Sequence, residues 1–78
     1  MAAFGIGDNV QFEFAGDVGI ENLFGIKGTI TGRRTSGGHY YYDVRLATRV
    51  NLPSPLIGGM KLVGNTLRRV PSSWLELL

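Results

Sequence analysis

The chain has 78 residues, with eight Lys and Arg against six Asp and Glu, one His and no Cys. That excludes a disulfide framework, a thiolate metal site and a zinc site built on His39 alone. Hydrophobic residues make up 44% and charged residues 18%, below the roughly 25% charged share of an ordinary soluble domain, so little polar surface is available to keep the chain alone in water. The length predicts one domain, residues 1–78, of a size that commonly needs a staple or a partner. No stretch reaches the roughly 20 apolar residues of a membrane span, and "MAAFGIGDNV" lacks the basic start and long apolar run of a signal peptide. The expectation is a soluble, untargeted, cytoplasmic protein with no membrane partner. A net charge of +2 lends only weak support to an anionic partner.

Twelve glycines punctuate the chain, and the segments between them alternate with period two, which predicts strands throughout. After a tight "GIGD" turn capped by Asp8, "NVQFEF" (9–14) is the first strand, with Val10, Phe12 and Phe14 on one side. "AGDVGIENLFG" (15–25) is a long glycine-bounded loop. "IKGTITGRR" (26–34) is the second strand, its Ile26, Gly28 and Ile30 inward and its Lys27, Thr29, Thr31 and Arg33 outward. "TSGG" (35–38) is a hairpin turn whose glycines supply positive φ. "HYYYDVRL" (39–46) is the clearest strand, with Tyr40, Tyr42, Val44 and Leu46 inward and His39, Tyr41, Asp43 and Arg45 outward.

The stretch 47–65 is long for a connection in so small a domain. The third strand is expected to run on towards Leu52, with a turn at "PSPLIGG" and a return strand near Met60 to Val63. "TLRRV" (66–70) is a further strand, "PSSW" (71–74) one helical turn, and "LELL" a closing strand. This pattern predicts an all-β, small five-stranded barrel, with a long apolar loop or extra hairpin at 47–65 and a terminal helical turn at 71–74. Closure would remove the exposed sheet edges.

"VPSSWLELL" resembles the ending of SH3-like barrels, in which a Pro-Ser-x-aromatic turn leads into a closing strand. "FGIGDNVQF" resembles their early Gly-Asp turn. The resemblance implies that Leu75 and Leu77 close the core. It also implies that Pro71 and Trp74 face the groove where SH3 domains hold proline-rich peptides, with Asp17 and Glu21 as acids of the first loop. The usual Ala-Leu-Tyr-Asp-Tyr opening and the Trp before the third strand are missing, so the resemblance carries the fold and not the peptide specificity. In pieces, "AAFGIGDNV", "IKGTITG" and "VPSSWLE" also look like type II, plasmid-borne dihydrofolate reductases, which are SH3-like barrels that assemble as tetramers around a pore. That family binds folate and NADPH with a Val-Gln-Ile-Tyr segment. Here the matching residues are "LRRV", Leu67 to Val70, so the resemblance implies the barrel and a tendency to oligomerise, and an enzyme of this kind ranks third.

No catalytic constellation is readable. Nucleophilic catalysis wants an activated nucleophile with a base in reach, and His39 sits beside a glycine turn while the carboxylates show no paired motif. "GIGD" precedes a strand, so it is no phosphate loop. No cofactor and no metal is expected.

Two binding readings remain. The preferred one is a non-catalytic interaction or assembly module that makes protein contacts, either as a homo-oligomer or within a larger complex. Small cysteine-free barrels of this sort are common on phages and plasmids, and a phage origin would put the protein in a virion. The apolar residues left over from the strands would supply the interface: Phe24, Leu56, Ile57, Met60, Leu62, Pro71 and Trp74. The alternative is that they cover the chain's own core. The second reading is a nucleic-acid-binding barrel whose outward face carries Lys27, Arg33, Tyr41, Arg45, Arg68 and Arg69, basic residues interleaved with an aromatic that neutralise phosphates and stack a base.

Overall fold

Alternation becomes six antiparallel strands, and no α-helix, among the residues that the computed structural model describes, 4–13, 23–52 and 59–78. They are β1 (Asn9–Phe12), β2 (Lys27–Ser36), β3 (His39–Leu46), β4 (Lys61–Val63), β5 (Thr66–Pro71) and β6 (Leu75–Leu77), with a 3-10 turn at Ser72–Trp74 before β6. All belong to one sheet in the order β4-β5-β3-β2-β1-β6. The expected five strands closing into a barrel are not what the ladder forms. The sheet is open, with β4 and β6 as its edges, and the return strand before Gly64-Asn65 hairpins onto β5 as a sixth member. β3 stops at Leu46 and does not run on to Leu52. Residues 14–22, which include the expected end of the first strand and most of the expected first loop at 15–25, and residues 53–58 of the expected "PSPLIGG" turn lie outside the described residues.

The buried part of the inner face is apolar. Val10, Phe12, Ile30, Tyr42, Val44, Leu67 and Val70 are all but sealed from solvent, and no polar or charged residue is buried among the described residues. Leu23, Leu46, Met60, Trp74 and Leu75 complete the core, with Phe4, Ile26, Val50, Leu52 and Leu62 packed on its rim. The phenol of Tyr42 is satisfied because its oxygen accepts the Phe4 N–H at 2.9 Å. The "GIGD" turn forms as its chemistry dictates: Asp8 Oδ2 accepts the Gly5 N–H at 2.7 Å, and Gly7 N–H donates to the Ile30 carbonyl at 2.8 Å.

β2 and β3 form the central hairpin, closed by Gly37 and Gly38 at φ 59° and 80°, the left-handed pair that a two-residue hairpin turn requires. Two irregularities interrupt the registers. In β2 the pair Ile30↔Val44 is followed by Gly32↔Asp43, so Thr31 is an extra residue. Between β3 and β5 the pair Val44↔Leu67 is followed by Tyr42↔Val70, so Arg68 and Arg69 together stand opposite Asp43. An extra residue in one strand swaps the faces of everything beyond it.

Candidate nucleic-acid interface

The side of the sheet away from the core is read off the register. Lys27 alternates with buried Gly28, Arg45 with buried Val44 and Leu46, and Arg68 with buried Leu67. Lys61 is paired with Arg68, and Arg34 with Tyr41. Lys27, Arg34, Arg45, Lys61, Arg68 and Arg69 therefore share this outer face, six of the eight Lys and Arg of the chain.

Asp43 is the acid at the centre of this group, and its side chain is largely shielded. Its Oδ2 lies 3.3 Å from Arg34 Nη2, its Oδ1 lies 3.8 Å from Arg68 Nε, and the Arg69 backbone N–H points at Oδ1 from 3.5 Å. Gly32 opposite makes this possible: a Cβ there would meet Asp43 Oδ2 at 2.6 Å. One carboxylate thus orients two guanidinium groups without cancelling them, and both arginines remain about half exposed. Ion pairs at such exposure contribute only about 0–1 kcal/mol, so the cluster matters more for position than for stability. Arg69 holds φ at 64°, a left-handed conformation costing a non-glycine residue about 1 kcal/mol, and its guanidinium lies 4.7 Å from the centre of the Tyr41 ring.

Of the expected basic set, Lys27, Tyr41, Arg45, Arg68 and Arg69 come together on this face, and Arg33 does not. Because Thr31 is an extra residue, Arg33 pairs with Tyr42 and points to the opposite side. There it lies 5.7 Å over the Tyr40 ring and donates to the Phe4 carbonyl at 3.4 Å. Arg34 takes the place expected for Arg33. Arg34 and Lys61 complete the face: the bulge turns Arg34 there, and the β4–β5 pairing brings Lys61.

The expected apolar interface is dispersed. Met60, just before β4, and Trp74, the last residue of the 3-10 turn, are 6% and 8% exposed and belong to the chain's own core. Leu62 is half-buried against that core. Phe24 is open to solvent at 66%. Leu56 and Ile57 lie outside the described residues. Pro71 is half-buried and lines a groove of about 550 Å³ between the β2–β3 turn and the 3-10 turn, whereas Trp74, expected beside it, is absent from the lining. Leu75 closes the core as expected, but Leu77 remains 55% exposed on edge strand β6. Leu67 to Val70, the "LRRV" segment, is interior strand β5: Leu67 and Val70 point into the core and the two arginines out of it.

An acidic margin marks the far end of the same face. Glu13 follows β1, and Glu76 pairs with Gln11 from β6. Hydrogen bonding to the Glu76 side chain, partial loss of water and the like charge of Glu76, in that order, hold the Glu13 carboxyl above the usual carboxylate value. The face is therefore polarised, basic across β2, β3, β5 and β4 and acidic at the β1–β6 border. Among the described residues no group of three or more His, Asp or Glu is arranged to hold a metal ion, and no helix is long and apolar enough to cross a membrane. No family model, curated protein or solved structure matches the chain.

Proposed function

We propose that this protein has an SH3-like fold and binds nucleic acid through the outer face of its sheet, without catalysis. Six of eight cations on one sheet face carry the reading. A chain with a net charge of +2 has no general attraction for polyanions, but a concentrated basic stripe does. The sheet order, and the 3-10 turn leading into the last strand, support the SH3-like reading of the fold.

Phosphate contacts release counterions, so affinity must fall with salt. If all six cations engage a single strand, log K against log salt has a slope of about −4. The test is an oligonucleotide titration by fluorescence anisotropy at several salt concentrations. Arg34→Glu with Arg45→Glu should abolish binding, and Arg33→Glu, on the opposite side, should leave both affinity and slope unchanged. Equal losses from the Arg33 variant and the Arg34/Arg45 variant would overturn the reading.

A second reading, self-association or docking in a larger assembly, rests on the two sheet edges. Val63 on β4 is 51% exposed and Leu77 on β6 is 55% exposed. If copies join there, light scattering behind a sizing column gives an oligomer, and Val63→Asp with Leu77→Asp returns it to a monomer of 8.5 kDa. A monomer at all concentrations removes this reading.

A further inference from the structure

The groove beside the basic face has its own chemistry. One wall is the hairpin end from Gly38 to Tyr41, and the other runs from Pro71 at the end of β5 to Ser72 and Ser73 of the 3-10 turn. Tyr41 and Pro71 are paired across β3 and β5 and form its floor. Tyr41 also belongs to the outer face, where Arg34 stands opposite it in β2 and Arg69 lies over its ring. The groove is thus continuous with the arginine cluster. The Ser72 and Ser73 hydroxyls and the His39 imidazole make no side-chain hydrogen bond among the described residues. Tyr and Pro surface, hydroxyl and imidazole groups and the arginines beside Tyr41 are thus neighbours.

We propose that this groove receives an unstacked base of single-stranded nucleic acid whose phosphates run over Arg34, Arg68 and Arg69. The proposal rests on the nucleic-acid reading above and narrows it to single strands. In a duplex the base faces are stacked away, whereas a single strand can splay a base onto an aromatic and Pro surface and present its polar edge to hydroxyl and imidazole groups. A proline-rich peptide would also suit a Tyr-Pro groove, but it has no use for the cations crowding the groove's border. Charge complementarity favours the polyanion.

The experiment compares three labelled probes by anisotropy: a thymidine oligomer of about twelve nucleotides, an abasic oligomer with the same phosphates, and a duplex of that length. The thymidine oligomer should bind roughly ten-fold tighter than the abasic one, the usual effect of one base–aromatic stack. Tyr41→Ala should bring the two together while leaving the salt slope unchanged. Because Tyr41 is half-buried, the exposed pair His39→Ala and Ser73→Ala serves as a second variant, expected to lose part of the same preference without touching the fold. Equal binding of base-bearing and abasic oligomers, or tighter binding of the duplex, overturns the groove proposal and leaves the basic-face reading standing. Absence of salt-dependent binding to any probe overturns both. A labelled proline oligomer bound by the protein and released by Tyr41→Ala, with the two single strands equal, would assign the groove to peptides and overturn the proposal.

Discussion

The two faces of the sheet are built from the same strands and follow opposite rules. The inner face holds Val10, Phe12, Ile30, Tyr42, Val44, Leu67 and Val70 in a continuous apolar layer. The outer face holds six cations, two of them paired with Asp43, with the Tyr41 ring under Arg69 towards its hairpin end. Stability comes from the first, because each buried large side chain contributes about 1.5–3 kcal/mol. The second contributes little, because exposed pairs of this kind are nearly neutral. If the outer face binds as proposed, inner substitutions should change melting and outer ones should change binding.

The sharpest challenge to that separation is at Trp74. It looks from its place in the chain like a surface anchor, and it sits 8% exposed in the core. Trp74→Ala should cost about 3–5 kcal/mol, a large part of the total stability of so small a domain. Denaturant melts would show this as a collapse of the midpoint. A normal midpoint combined with a change in oligomeric mass would mean the indole works at an interface instead.

A smaller effect is expected at the bulge. Deleting Thr31 removes the extra residue and leaves Gly32 opposite Asp43 and Arg34 opposite Tyr41, at the cost of the Thr31 hydroxyl bond to the Asp43 carbonyl at 3.3 Å. Oligonucleotide affinity should stay within about three-fold, since the later pairs do not need the bulge to keep their faces. A transfer of the charge-reversal sensitivity from Arg34 to Arg33 in the deletion variant would overturn the assignment of Thr31 as the extra residue.

The smallest effect is at the acidic margin. Glu13 has its pKa raised in the folded chain, so the folded state holds a proton more readily than the unfolded state does. The stability gained on protonation is present at low pH and is lost as pH rises through the folded pKa, above the ordinary Glu value. Glu13→Gln, which copies the protonated form, should raise the melting temperature slightly at neutral pH and not at about pH 4. An equal shift at both pH values would rule out the carboxylate pair as its source.

Much of this molecule follows from local pattern. Alternating Val10 and Phe12, the Tyr42-Val44-Leu46 series, the paired glycines at 37 and 38 and the "PSSW" turn each carry their structure in a few adjacent residues, because side-chain period and turn chemistry are local physics. Five of the six residues expected on a basic face, Lys27, Tyr41, Arg45, Arg68 and Arg69, were legible the same way. Other features depended on pairing between distant segments. Thr31 becomes a bulge only because β3 offers one residue too few, and that places Arg34 and not Arg33 on the basic outer face. Lys61 joins it only because β4 folds back on β5. Whether Met60 and Trp74 served this chain or another was open in the sequence, because an apolar side chain gains the same transfer energy from any dry neighbour. In the folded chain both lie within the same buried core cluster.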